Sequence, residues 1–338
     1  MKGMTKRPIL AAALLVTAAA ISSPSVARAE EAGTGHYLPG ATASFLDMLP
    51  DRGTSTFAYL NTFTFYDGSA GASRNLELGG RVVANVKGTS YADSSVFLYQ
   101  APWKLFGAQY GAVVVVPYVW LDVKANAALS VPGARLSREA RDTANGFGDV
   151  QIFPLMFGWK RGDLKWQMYF SVYAPTGDFA KGALANIGKN YWTFEPGAAV
   201  SYLSSKYGFE ATIFTAFDFD TENGATDYQS GDQFHLDGTV AQHLPLLGGF
   251  VGAGANGFFY QQITGDGGSG AHLGSFEGMT TGVGPVLSYA YQIGDLDVAA
   301  EAKWLPEIAT TNRLNGNIVW FKLAFSFGTT PVSSLQAE

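Results

Sequence analysis

The stretch Gln233-Phe234-His235-Leu236-Asp237-Gly238-Thr239-Val240-Ala241-Gln242-His243-Leu244 puts Gln233, His235, Asp237, Thr239 and His243 on one side and Phe234, Leu236, Val240 and Leu244 on the other. A period of two is that of a β-strand with one polar and one apolar face. The pattern recurs: Lys165, Gln167, Tyr169 and Ser171 oppose Leu164, Trp166, Met168 and Phe170, and Glu210, Thr212 and Asp218 oppose Phe209, Ile213, Phe217 and Phe219. No 3.6-residue periodicity is sustained over a helix length, so the chain reads as all-β. Twelve strands are expected at 54–66, 90–103, 109–124, 147–159, 164–174, 191–203, 207–219, 233–244, 248–264, 278–291, 296–306 and 316–327.

Alternation alone suits a soluble sandwich as well as a membrane barrel, and composition separates the two. Of 338 residues 47% are hydrophobic and only 15% charged, against roughly 25% charged in ordinary soluble domains. Such a chain has a non-aqueous neighbour. After the first 29 residues no apolar run reaches the roughly 20 residues that span a bilayer as a helix, which leaves the closed β-barrel as the structure that satisfies its backbone in lipid. Net charge is −6, so nucleic acid is not an expected partner. Cys is absent, which removes disulfides and zinc-cysteine sites.

The ends have their own signatures. Lys2, Lys6 and Arg7, the apolar stretch Ile9 to Ile21 and Ala27-Arg28-Ala29 have the order of a cleaved secretory signal over 1–29. The segment 30–53 contains His36, Tyr37, Leu38, Phe45, Leu46 and Leu49 but belongs to no strand. It is expected to fold into the periplasmic mouth as a plug or gate, with His36 and Tyr37 near the permeation path. The barrel occupies 54–327 and a tail follows over 328–338. Phe321, Leu323, Phe325 and Phe327 form a C-terminal apolar ladder, like the signal read by barrel-assembly machinery, although eleven residues follow it.

Loop lengths alternate. Short connections (104–108, 160–163, 204–206, 245–247, 292–295) belong at the periplasmic end and long ones (67–89, 125–146, 175–190, 220–232, 265–277, 307–315) outside. The first long one has strand-like content over 75–86 and is open to an extension or an added strand pair. Trp103, Trp159, Trp166, Tyr202, Tyr207, Tyr289 and Tyr291 flank the short turns, and Trp120, Trp192, Trp304 and Tyr173 the long loops. Rings at both strand ends suit two bilayer interfaces with outer-membrane lipid and lipopolysaccharide, whereas a soluble core would gather them mid-strand.

Motifs for other chemistry fail on context. The G-x-G-x-x-G stretches at 252–257 and 265–270 open no helix. Asp218, Asp220 and Glu222 lack the turn Gly and final Glu of a calcium loop. Asp220, Glu222, Asp227 and Asp232 read as a solvated acidic loop, with an improvised cation site as the alternative. His235 and His243 share a face but lie about 26 Å apart at strand rise, too far to ligate one metal unless other strands contribute. His235 and Asp237 with Ser201 or Ser171 lack a nucleophile motif. No cofactor and no enzyme activity are expected.

Gly35-His36-Tyr37-Leu38-Pro39-Gly40, Phe63-Thr64-Phe65-Tyr66-Asp67-Gly68, Ala101-Pro102-Trp103-Lys104, Gly146-Phe147-Gly148-Asp149, Tyr173-Ala174-Pro175-Thr176-Gly177-Asp178, Asn190-Tyr191-Trp192-Thr193-Phe194-Glu195-Pro196 and Tyr228-Gln229-Ser230-Gly231-Asp232-Gln233-Phe234-His235 resemble the MetA-pathway of phenol degradation family of bacterial outer-membrane proteins. The resemblance runs from about Gly35 to Phe327. It implies an outer-membrane barrel admitting hydrophobic or aromatic compounds and supplies no catalytic residues.

A twelve-stranded barrel is narrower than the 16- to 18-stranded porins, so its lumen should be partly filled. Expected lining residues are Tyr118, Asp122, Lys165, Gln167, Tyr169, Glu195, Glu210, Asp218, His235, Asp237, Asn256, Tyr260, Gln262, Glu301, Lys303 and Lys322. Their tyrosines offer aromatic faces for stacking and hydroxyls for hydrogen bonds. The expected function is passive passage of small hydrophobic or aromatic solutes. The alternatives are a barrel enzyme acting on lipid or lipopolysaccharide and a structural or adhesive surface protein.

Overall fold

A computed structural model describes residues 35–50, 55–131, 134–275 and 277–327; the expected signal 1–29 and tail 328–338 lie outside them. Thirteen strands form one antiparallel sheet: β1 Thr56–Leu78, β2 Arg81–Leu105, β3 Ala108–Val131, β4 Ala134–Phe147, β5 Val150–Arg161, β6 Leu164–Ala174, β7 Thr193–Leu203, β8 Phe209–Asp220, β9 Gln233–Leu246, β10 Gly249–Gln262, β11 Met279–Ile293, β12 Leu296–Thr311 and β13 Asn315–Phe327. β1 pairs with β13, which closes the sheet. β4 and β5 share one wall position, because both pair with β3, β4 along its second half and β5 along its first. The result is a closed twelve-position barrel. The break falls at Gly148-Asp149, where Pro117 of β3 lacks an N–H and its carbonyl accepts from Gly148.

All twelve expected strands are present, and two of the expected long loops turn out to be mostly strand. β1 and β2 continue through 67–89 to a tight turn at Gly79-Gly80, both with positive φ. β3 and β4 pair through 125–146. The last outer connection shrinks to 312–314 because β12 runs on to Thr311. At the other end, Phe106-Gly107 and Leu247-Gly248 both take the positive φ values of tight hairpin turns.

Burial is inverted relative to a soluble protein. Along β8 the buried positions are Glu210, Thr212, Phe214, Ala216, Asp218 and Asp220, while Phe209, Ile213, Phe217 and Phe219 are exposed. An outward band of Phe97, Val114, Leu155, Met168, Val200, Val240, Leu287 and Phe321 is likewise bare. A sandwich would reverse this, so the inverted faces settle the choice that alternation left open. Trp103, Trp192, Tyr202, Tyr207 and Tyr291 are exposed at or beside strand ends, whereas the exposed Trp120 and Trp304 lie partway along β3 and β12, which continue past them. Tyr173 departs from the expected belt and stacks inward on His36.

Above the barrel, Leu76, Leu78, Val83 and Val86 of the β1–β2 hairpin pack with Val123, Leu184, Ala185 and Leu314. The hairpin tip is tied down by the Gly182 N–H donating to the Gly79 carbonyl and by His272 against the buried Glu77, 2.6 Å. The outer loops thus share an apolar core of their own over the long-loop end.

Candidate functional site in the lumen

Residues 35–50 run through the barrel rather than resting at its short-turn mouth as expected. The wall offers inward acids, amides and lysines that a segment with only one short turn of its own, Phe45–Asp47, can use to satisfy its backbone. At the long-loop end the His36 ring stacks on Tyr173 with centroids 4.8 Å apart and edges onto Tyr191 at 5.0 Å. Its Nε2 lies 2.9 Å from Asp149 Oδ2 and its Nδ1 2.6 Å from Thr193 Oγ1. Asp149 also accepts from the amides of Gly177 and Lys189. One carboxylate therefore joins the segment, the wall break and the loop between β6 and β7.

In mid-barrel Tyr37 is fully enclosed. Its ring lies 3.8 Å from that of His235, nearly parallel, and 6.0 Å from that of Tyr260. Its hydroxyl donates to Asp237 Oδ1 at 2.7 Å. The Gly40 amide donates to the same oxygen, and Thr42 Oγ1 to the other. Gly40 takes φ +77°, and a Cβ there would collide with Leu305.

Below Tyr37 the wall grips the backbone. Lys303 Nζ donates to the carbonyls of Gly40 and Thr42, Trp320 Nε1 to that of Pro39, the Phe45 amide donates to Glu210, and the Leu49 amide to Gln167. Asp47 of a single 3-10 turn, Phe45–Asp47, pairs with Lys322 Nζ at 2.7 Å, and Glu301 lies 3.1 Å from Lys303 and 3.6 Å from Lys322. Ala43, Met48 and Leu49 pack on Val113, Met156, Tyr169, Ala199 and Phe214. Beyond Leu49 a mouth of about 630 Å³ opens between the short turns, with Lys104, Lys160, Lys165, Trp159 and Trp166 in its lining.

Of the expected lining residues, Gln167, Tyr169, Glu195, Glu210, Asp218, His235, Asp237, Asn256, Tyr260, Gln262, Glu301, Lys303 and Lys322 are buried inside, and Lys165 lines the mouth. Tyr118 is a correction: it packs with Trp120 and Phe147 on the outer face, because Pro117 and the buried Val113 and Val123 set the odd positions of β3 inward. Asp122 is outward for the same reason, paired with Arg141. Sequence reasoning missed Asp149, Thr193, Thr42 and Asp47, whose role depends on which loop and strand meet the segment. The serines considered for a triad are engaged elsewhere, Ser201 with Thr212 and Ser171 with Gln151, while Asp237 is held by the segment. Asp220 of the acidic loop accepts from Gln233 and Thr193.

The Asp149 junction makes docking of the segment pH-dependent. Burial pulls the His36 imidazole below its ordinary 6.5, only partly opposed by Asp149; Lys189 adds to the pull and Asp218 works against it. Burial also works against an ionised Asp149, yet His36 and the two loop amides hold its carboxyl below the ordinary 3.8. His36 binds its proton more tightly when the segment is released, whereas the loop amides on Asp149 stay with the wall. The junction is at full strength above about 6.5 and weakens as His36 protonates below that. Hydrogen exchange of residues 35–40, corrected for intrinsic rate, is expected to speed up between pH 7.5 and 4.5; equal protection at both would contradict this.

Fold and lumen define a class: an outer-membrane-type β-barrel of twelve wall positions whose interior is occupied by its own N-terminal segment. The chain belongs to the MetA-pathway of phenol degradation family, whose model matches residues 72–323. Among solved structures it is similar to the COG4313 outer membrane channel from Pseudomonas putida F1 (12% identity, TM-score 0.54, 85% of this chain and 98% of that one). Weaker likenesses include the β domain of the Bordetella autotransporter BrkA (12%, TM-score 0.43, 81% and 100%) and a Pseudomonas aeruginosa FadL homologue (9%, TM-score 0.41, 82% and 90%). No curated protein matches the chain.

Proposed function

We propose that this protein is an outer-membrane channel for passive entry of small aromatic compounds, phenols foremost, and that residues 35–50 are its plug. The observation that carries the reading is Tyr37. Its phenol ring stacks on His235, runs parallel to Tyr260 at 6.0 Å and puts its hydroxyl on the buried Asp237, which is the arrangement a phenolic solute would need: aromatic rings to lie against and one acceptor. The plug thus holds the place of its solute with a side chain of the same chemistry. Family membership agrees with this, and the similar Pseudomonas putida protein is itself described as a channel. In this reading the bare outer band faces outer-membrane lipid and the outer loops meet lipopolysaccharide.

The test is uptake by liposomes containing the refolded protein, with a panel of phenols, aromatic acids and alkanes. Phenols are expected to enter faster than alkanes of similar size. Tyr37→Phe removes a hydrogen bond to a charged group worth about 1.5–3 kcal/mol and should raise phenol entry while leaving alkane leakage unchanged. Entry no faster than in protein-free liposomes, for every solute and with the plug deleted, would overturn the reading.

A further inference from the structure

Three inward side chains from adjacent strands, Glu195 of β7, Asp218 of β8 and His235 of β9, bring one ligand atom each to within 4.8 Å of one another, and all three are buried. Among the described residues this is the one group of three or more potential metal ligands. Its partners set it apart from the other acids of the lumen. Glu210 accepts from the Phe45 amide and Thr212, Glu301 has two lysines, and Asp237 has three donors from the plug. Asp218, fully buried, has no hydrogen-bond partner on either carboxylate oxygen, and His235 Nε2 has none either, at 3.6 Å from Asp218 Oδ1. Glu195, which accepts from Gln151, puts a second buried carboxylate beside it, and the cationic side chain within reach of Asp218 is His235 itself when protonated, 3.6 Å away, so the cluster keeps a net negative charge that a divalent cation would neutralise.

We propose that Glu195, Asp218 and His235 bind one divalent transition-metal cation, zinc foremost. Two carboxylates and an imidazole neutralise a divalent charge, and the nitrogen donor favours zinc over calcium or magnesium. In a tetrahedral site, ligand atoms lie roughly 3.3 Å apart, so side-chain rotations of about an ångström close the cluster, and the fourth position is left to water. The His235 ring is already fixed by Tyr37 stacked on its face, which leaves Nε2 in the ring plane for the metal. The cation would tie β7, β8 and β9 together and hold the His235 ring in the orientation on which Tyr37 stacks. This site does not require the chain to be a channel.

The experiment uses untagged full-length protein refolded in detergent with ZnCl2 or CoCl2, desalted, and assayed for bound metal, with heat-modifiable gel migration as the check on folding. About one equivalent per barrel is expected, with visible cobalt bands of a low-coordinate site. Asp218→Asn and His235→Gln should each cost at least roughly tenfold in affinity, with Glu195→Gln as the third variant should either fail to fold. His272→Ala, at the outer surface, should leave the stoichiometry unchanged. Wild-type protein without retained metal overturns the site, as does metal that survives in folded variants of the cluster or is lost with His272.

Discussion

Removing residues 35–50 is expected to raise single-channel conductance in planar bilayers about tenfold or more, since the deleted chain fills the path between the wall's charged groups. The complementary variant pins the segment instead. A Cβ on Gly158 would lie 3.4 Å from that of Leu49, at the short edge of the range a disulfide spans, and the chain has no cysteine to compete. Leu49→Cys with Gly158→Cys should therefore oxidise to one defined crosslink. The oxidised form should lose solute entry and conductance, and reduction should restore both. Gly158 does not adopt a positive φ, so the new side chain carries no backbone strain. Deletion protein with wild-type conductance, or a crosslinked form that still conducts fully, would show that the path does not run where the segment lies.

Much of this architecture is written in the alternation of the strands. Where a strand faces lipid on one side and charged side chains on the other, the two demands reinforce each other, and Phe209 to Asp220 or Gln233 to Leu244 can be assigned on sight. Where the same strands rise past the membrane the outer face has no lipid to satisfy. Arg135, Ser137, Arg138, Glu139 and Arg141 of β4 carry no apolar period, and a stretch that pairs along its full length with β3 reads as a polar loop. The phase of β3 was hidden for a related reason. Val113, Val114, Val115 and Val116 are apolar on both faces, so nothing in the run says that Tyr118 points outward.

The lumen was legible as a set of residues and illegible as a set of contacts. Glu195, His235 and Asp237 stand out as polar members of apolar strands. That Asp218 comes to lie between Glu195 and His235 depends on the stagger of three strands, which no single strand's sequence contains. The distance that separates His235 from His243 along β9 keeps them apart, and His243 pairs with Glu210 while the three potential ligands that do meet, Glu195, Asp218 and His235, come from three different strands. Similarly, the apolar residues of 35–50 mark it as a segment seeking a core, but only the folded wall shows that it traverses the barrel.

The second large effect is expected at Lys322. Its ammonium is buried, reaches both oxygens of Asp47 at 2.7 and 2.9 Å, and lies 3.6 Å from Glu301. Lys322→Met keeps the stem's bulk and removes the charge. Lys303 still neutralises Glu301 at 3.1 Å, but Asp47 keeps only the Ser44 amide and hydroxyl of its own turn. Breaking one side of a buried pair costs about 3–5 kcal/mol, and here the cost falls on the docked state alone, because a released Asp47 regains water. That free energy corresponds to a population of the released segment roughly 100- to 5,000-fold higher. Hydrogen exchange of residues 44–49 should accelerate accordingly while exchange in β13 stays slow. Asp47→Asn added to Lys322→Met removes the stranded charge and should recover most of the protection, which distinguishes a broken ion pair from a damaged wall: a double variant no better protected than Lys322→Met alone would place the effect in β13 instead.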